Sequence, residues 1–185
     1  MEADFAVELG GDDETLALPW AAGENGPRYY DLKHYPELLL SVPEAQREAA
    51  LGEFLAALNA PASILETAKC DAWSTQEVNP EEEIFGATCK FGSYIDLLFS
   101  DDRRFDFPAL EGFAKRLVSL LKQVPEIPAA AELLIRRAYY REDRDGFYGT
   151  LYVFGYGDDE PQARQRWAIA LKLVENAIRQ ISRQP

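Results

Sequence analysis

Residues 133–157 read LLIRRAYYREDRDGFYGTLYVFGYG, and this stretch is the most informative part of the chain. Two β-rich runs, 133–140 and 147–156, flank Asp145-Gly146, which is a strong signal for the turn of a β-hairpin. In the second run, apolar or aromatic residues occupy both sets of alternating positions. A strand with one solvated face does not have that pattern, so both faces of this hairpin are expected to be covered.

The same hairpin supplies a candidate binding surface. A tight turn centred near Asp145 places an aromatic and arginine set on one face of the sheet: Arg137, Tyr139, Arg141, Tyr148, Tyr152, Phe154 and Tyr156. This composition is typical of an interface or a ligand platform, since arginine makes cation–π contacts with aromatic rings. Three alternatives could cover this face: residues 21–40 or the first helix, a protein partner, or a small molecule.

Two glycines fall on the opposite face of the hairpin. Gly149 and Gly155 carry no side chain, which would let a helix approach the strand closely.

Two further pairs of β-rich runs are predicted to form hairpins. Runs 5–9 and 15–20 flank the Gly-Gly-Asp-Asp sequence at 10–13, and runs 64–75 and 85–99 are joined by a turn and a charged tip at 79–83. A middle hairpin centred on that turn would place Cys70 opposite Cys89.

Three amphipathic helices are expected near 42–59, 107–124 and 160–181. Ser41 and Glu44 form a capping box, and Asp106 and Asp159 each stand two residues before a proline, where first-turn amides have no helical acceptor to lose. Trp167 belongs to the apolar stripe of the third helix.

These elements predict an α+β fold. We expect one domain, 1–185, with an antiparallel sheet built from ββα-like units at about 1–60, 61–127 and 128–185, and three helices packed mainly on one face.

Composition excludes several classes of function. Hydrophobic residues make up 47% and charged residues 28% of the 185, which is globular usage. The net charge of −13 opposes binding to nucleic acid, and no run approaches the ~20 apolar residues of a membrane span. The acidic N-terminal residues do not resemble a signal peptide, so a cytoplasmic location is expected.

Catalytic and metal-binding signals are weak. His34 and Asp31 form a possible base and orienter, but no nucleophile motif accompanies them. Cys70 and Cys89 lack the spacing of zinc ligands and are expected to be reduced, buried thiols. The Asp-Asp pairs at 12–13, 101–102 and 158–159 are expected to cap helices or face solvent. No catalytic residue, metal or cofactor is therefore predicted.

From Ala45 onward the order is helix, hairpin, helix, hairpin, helix, which is similar to small acidic secretion-chaperone-like domains, although no motif is shared. The resemblance implies an acidic chaperone or adaptor for a basic protein partner.

Our leading functional hypothesis is a noncatalytic binding or assembly domain, a homodimer that uses the aromatic sheet face or its edge. There are two alternatives: an acidic chaperone or adaptor for a basic protein partner, and a small-ligand-binding protein or enzyme. The latter would have a pocket between residues 28–35 and the last hairpin, combining His34, Asp31, Tyr139 and Arg137.

Overall fold

The computed structural model describes residues 1–22, 24, 26–77, 86–141 and 144–183. Its strands are β1 Glu2–Val7, β2 Thr15–Leu18, β3 Leu65–Thr75, β4 Cys89–Phe99, β5 Ala129–Tyr140 and β6 Arg144–Gly157. Its α-helices are α1 Pro43–Arg47, α2 Ala49–Leu58, α3 Phe107–Leu121 and α4 Glu160–Ser182, with short 3-10 turns at Pro36–Ser41 and Asp102–Phe105.

The strands form one mixed sheet in the order β1-β5-β6-β4-β3, with β2 also paired to β5. The pairs β3–β4, β4–β6 and β5–β6 are antiparallel, as expected. The α+β class with a mainly antiparallel sheet is therefore confirmed. Within the described residues, no helix is long and apolar enough to cross a bilayer.

The predicted hairpin at 5–20 is wrong. Both β1 and β2 run parallel to β5 and pair with successive parts of the same edge, Val7 opposite Ile135 and Thr15 opposite Arg137. The chain between them bulges past a single residue of β5, and the Arg137 guanidinium donates to the Leu9 carbonyl at 2.9 Å. The Gly-Gly-Asp-Asp sequence makes a local turn that returns the chain to the same edge.

The last hairpin is present, but its turn is not at Asp145-Gly146. Tyr140 pairs with Arg144, so both predicted turn residues lie inside β6. Gly146 has a different purpose, because a Cβ there would lie 2.6 Å from the Tyr140 ring and 2.8 Å from the Arg104 carbonyl oxygen. Its missing side chain makes room for the 3-10 turn rather than for a chain reversal.

The middle hairpin exists in a register six residues away from the predicted one. Cys70 lies opposite Ile95, and Cys89 opposite Gly157, so the two cysteines are not cross-strand neighbours. A register with Cys70 opposite Cys89 would also place Lys69 opposite Lys90, whereas the structure pairs Lys90 with Thr75 and avoids that repulsion. The predicted tip at 79–83 lies outside the described residues.

Helices α3 and α4 agree with the prediction, and Asp159 caps α4 by accepting from the Gln162 amide at 2.8 Å. Asp106 precedes α3 without a side-chain cap. The predicted first helix is instead two helices separated at Glu48, whose buried carboxylate pairs with Arg164 of α4. The Ser41 capping box is wrong, since Val42 is the N-cap and the helix start has no side-chain cap.

The core has two parts. The larger joins α2, α3 and α4 to sheet residues that include Ile95, Leu133, Leu151 and Val153. Trp167 is only 1% exposed within it and donates to Ser93 at 2.9 Å. The smaller cluster joins β2 to Leu98, Tyr140 and Tyr148.

The close approach of a helix is confirmed at Gly155, where a Cβ would lie 2.2 Å from the Trp167 nitrogen. At Gly149 the space is filled by the Leu133 side chain instead.

Candidate functional site

Strand alternation separates the predicted surface residues onto two sides of the sheet. Tyr148, Tyr152, Phe154 and Tyr156 point away from Leu151 and the large core. Arg137 is opposite Phe147, and Tyr139 is opposite Asp145, which places both on the other side. The shared face proposed for them is therefore wrong. Its cause is the displaced turn: a turn centred between Asp145 and Gly146 would pair Arg137 with Phe154, and the observed register differs by seven residues, an odd number that exchanges the faces of β5.

The chain itself covers one half of the Tyr148 side. Leu16 and Leu18 of β2 belong to one buried cluster with Tyr148, which is 1% exposed, and Trp20 and Tyr29 pack against that cluster. The Trp20 indole N–H donates to the Ala68 carbonyl at 3.0 Å and so fixes this cover to β3. The expected intramolecular cover by residues 21–40 thus exists in part, with β2 as its main component.

The other half carries four partly exposed aromatic side chains, which we call the aromatic face: Trp73, Tyr94, Tyr152 and Phe154. Ring centroids of neighbouring members lie 6.2 to 6.4 Å apart, and Tyr152 stacks on Phe154 with an interplanar angle of 12°. Gly92 lies beneath them, because a Cβ there would come within 2.6 Å of the Phe154 ring. The glycine lets the rings lie flat over the sheet.

The borders of this face are partly buried or charged. Tyr156 is buried, with its ring centroid 6.5 Å from that of Phe154, and the Lys90 ammonium lies 4.9 Å from the Phe154 centroid. Aromatic rings with a cation at van der Waals range gain about 0.5–2 kcal/mol each. These contacts hold Phe154 in place.

Two rows of cross-strand neighbours run through the aromatic face. One row reads Asp4, Glu132, Tyr152, Tyr94, Asp71 from β1 to β3. The next reads Glu2, Ala130, Phe154, Gly92, Trp73. Carboxylates therefore flank the rings at both ends of the first row, and Glu2 flanks them at the β1 end of the second. Burial, together with the nearby charges of Asp4 and Glu8, raises the pKa of Glu132.

A buried carboxylate lies between the covered and open halves. Asp96 is 3% exposed and accepts a hydrogen bond from the Thr150 hydroxyl at 2.8 Å. Burial raises the pKa of Asp96 to about 6, although Thr150 opposes the shift. Its charge is disfavoured because the interior solvates an anion poorly.

An open cleft of about 840 Å³ adjoins the aromatic face. Its wall includes Tyr94 and Asp71, and it continues past the edge of β3 to Trp20, Tyr30 and Val42. The volume is in the range of ligand-binding clefts, ~300–1,000 Å³. The aromatic face and this cleft are therefore one continuous surface.

A smaller cleft of about 250 Å³ contains the predicted His34 and Asp31. The His34 imidazole Nδ1 lies 2.9 Å from an Asp31 carboxylate oxygen, but the histidine side chain is 71% exposed. The last hairpin contributes Tyr140 and Arg141, whereas Tyr139 and Arg137 are not part of the wall. A cleft between residues 28–35 and the last hairpin is thus present, but the hairpin residues that line it differ from the predicted ones.

The chemistry of the small cleft is that of a closed polar network. Glu66 is paired with Arg104 at 3.1 Å, and burial raises the Glu66 pKa against the lowering effect of that guanidinium. The Ser100 hydroxyl donates to the Ile64 carbonyl instead of facing His34. The cleft is also smaller than the usual ligand pocket, which makes it the weaker candidate.

The two cysteines are free thiols, with Cys89 buried and Cys70 partly buried. Burial, then the nearby carboxylates of Glu44 and Asp71, raises the pKa of Cys70 to about 12, which suppresses its thiolate. Within the described ranges, no three metal-ligating side chains converge.

Sequence reasoning identified Tyr152 and Phe154 but missed Trp73 and Tyr94. The signal was present, because Tyr94 falls on the alternate set from Phe91 and Ile95 in β4. Comparison with protein-family models, curated proteins and solved structures finds no match. Function is therefore argued from the aromatic face alone.

Proposed function

We propose that this protein is a noncatalytic binding or assembly domain that engages another polypeptide through its aromatic face. The observation that carries the proposal is the set of four rings, Trp73, Tyr94, Tyr152 and Phe154, left partly exposed where the intramolecular cover ends. Interface cores are enriched in aromatic residues, and clustered rings of this kind are the common anchors of binding energy.

The protection of the sheet edges supports a face rather than an edge as the binding element. On β3, Arg47 donates to the Ala72 carbonyl at 3.1 Å, and Asp71 accepts from the Ala72 amide at 2.7 Å. On β1, Asp4 accepts from the Phe5 amide at 2.8 Å. Side chains that occupy edge hydrogen-bonding groups oppose the addition of a further strand.

Site-specific photocrosslinking tests the proposal. A benzophenone amino acid would replace Tyr152, and the matched control would place it at Tyr35, which is 55% exposed and lies outside the face. In the cells that produce the protein, we expect a discrete polypeptide adduct from position 152 and none from position 35. Irradiation without an adduct at 152, or with the same adducts at both positions, would reject the proposal.

A further inference from the structure

We propose that the polypeptide bound by the aromatic face is a basic linear segment, with cationic side chains at both ends of an apolar or aromatic centre. This inference rests on the proposed function and specifies the chemistry of its partner. It follows from the order of charges and rings along the rows across the sheet.

The carboxylates of these rows are positioned to bind cations. Glu2, Asp4 and Glu132 are exposed on neighbouring positions of β1 and β5, and across the described residues none of the three has an ion-pair partner. At the opposite end of the row, Asp71 is half exposed and lies 3.5 Å from Arg47. The surface therefore presents uncompensated carboxylates at the β1 end of the rings, and at the β3 end the half-exposed Asp71 carboxylate, whose charge Arg47 partly offsets.

The cations on the same side of the sheet are already engaged. Arg136 pairs with Glu8 at 2.7 Å and with Glu14 at 3.3 Å, and Lys69 lies over the Trp20 ring. Lys90 lies over Phe154. These contacts leave the carboxylate ends of the rows as the charge that a partner meets.

A second copy of this chain is a poor match for the same surface. A two-fold axis through the aromatic face would bring acidic ends against acidic ends, because Asp4 and Glu132 border one side and Asp71 borders the other. Like charges brought together at an interface oppose association. The net charge of −13 adds to this repulsion, whereas it attracts a basic chain.

The dimensions indicate the length of the segment. The row from β1 to β3 crosses four strand spacings, about 19 Å, because neighbouring strands lie ~4.8 Å apart. An extended chain advances ~3.3 Å per residue, so about six residues separate the two acidic ends. The cleft beside Tyr94 and Asp71 allows the segment to continue beyond β3.

Fluorescence anisotropy with defined peptides tests this inference. The probe is a labelled peptide of about ten residues with two arginines at each end and alternating leucine and serine between them. The matched peptide carries glutamate in place of arginine. We expect the arginine peptide to bind at least tenfold more tightly, and to lose most of that advantage between about 0.05 and 0.5 M salt.

Variants then locate the binding. The double variant Asp4→Asn with Glu132→Gln keeps the hydrogen-bond acceptor of Asp4, and should weaken the arginine peptide roughly three- to tenfold, as expected for two exposed charge pairs. The control, Glu53→Gln with Glu126→Gln, removes two exposed carboxylates outside these rows and should change little. Equal effects of the two double variants would overturn the inference.

The remaining outcomes separate this inference from the proposed function. If both peptides bind equally and Tyr152→Ser weakens both, the aromatic face binds polypeptide and the basic partner is wrong. If neither peptide binds, the inference fails, and the crosslinking at Tyr152 alone decides the proposed function. A protein that sediments as a dimer, and that Tyr152→Glu converts to a folded monomer, replaces the basic segment with a second copy.

Discussion

Asp96 illustrates at the scale of one residue how burial makes stability depend on pH. Its pKa is about 6 in the folded protein and about 3.9 in an unfolded chain, so the native state retains a proton that the unfolded state loses. The free energy of unfolding therefore falls as pH rises from about 4 to about 6.

We expect Asp96→Asn to remove this dependence, since asparagine does not titrate and can still accept the Thr150 hydrogen bond. The free energy of unfolding of the variant, relative to that of the wild type, should rise by roughly 1–3 kcal/mol between pH 4 and pH 7. Urea unfolding across that range measures the difference. A constant difference at all pH values would show that Asp96 keeps an ordinary pKa.

Gly155 is a second residue whose environment predicts a large effect. A methyl group there would overlap the backbone of α4 near Trp167 and Ala163. Because the overlapping atoms belong to the backbone, a side-chain movement cannot remove the clash. We expect Gly155→Ala to cost at least about 3 kcal/mol or to prevent folding.

Gly112 is the matched control for Gly155. It lies within α3, and a methyl group at this position would meet no neighbouring atom within 4 Å. Gly112→Ala should therefore stabilise the protein by about 0.5–1 kcal/mol through helix propensity. Thermal unfolding of both variants checks the pair. Similar melting temperatures for the two would contradict the close approach of α4 to β6.

At the scale of elements, the starts of α3 and α4 differ although their sequences look alike. Asp159 accepts from the Gln162 amide, whereas Asp106 makes no side-chain cap. Asp159→Ala should therefore lower the free energy of unfolding by about 1 kcal/mol. Asp106→Ala should lower it by only a few tenths of a kcal/mol, which is the contribution of the helix dipole. Denaturant unfolding of the two variants gives the comparison. Equal losses would indicate that both aspartates act through charge alone.

The sequence predicted the elements whose signals are local. The apolar stripe around Trp167 and the cap at Asp159 specify α4 without reference to the rest of the chain. The β5–β6 pair was also recognised from alternation. Its turn was misplaced because Gly146 resembles a turn residue, while its actual role depends on Arg104 and Tyr140, which are brought to it by the tertiary fold.

Pairings between distant segments could not be predicted from local patterns. Nothing around Val7 or Thr15 indicates that β1 and β2 run beside β5, since that edge is chosen by hydrogen bonds to residues far along the chain. The candidate site was half predicted for the same reason. Tyr152 and Phe154 lie on one strand, whereas Trp73 and Tyr94 join them only through a register that the sequence did not specify.

At the scale of the whole molecule, the acidic ends of the rows predict that the aromatic face does not join two copies. We expect Tyr152→Glu to leave the sedimentation coefficient at micromolar concentration unchanged. The variant should stay folded with a loss of about 1–2 kcal/mol, because Tyr152 is only partly buried and loses stacking on Phe154. Sedimentation velocity and thermal unfolding measure both quantities, and Tyr35→Glu is the control at an exposed position.

The pairing of β1 and β2 with β5 also bears on the order of events during synthesis. Glu2 pairs with Ala130, and Leu18 pairs with Tyr140, so each early strand waits on the ribosome until more than a hundred further residues have been translated. Until then Leu16 and Leu18 have no partner strand. Contacts of such high sequence separation slow folding and prolong the exposure of nascent apolar strands. The sheet can therefore close only after β5 has emerged, and β1 and β2 stay unpaired until that point.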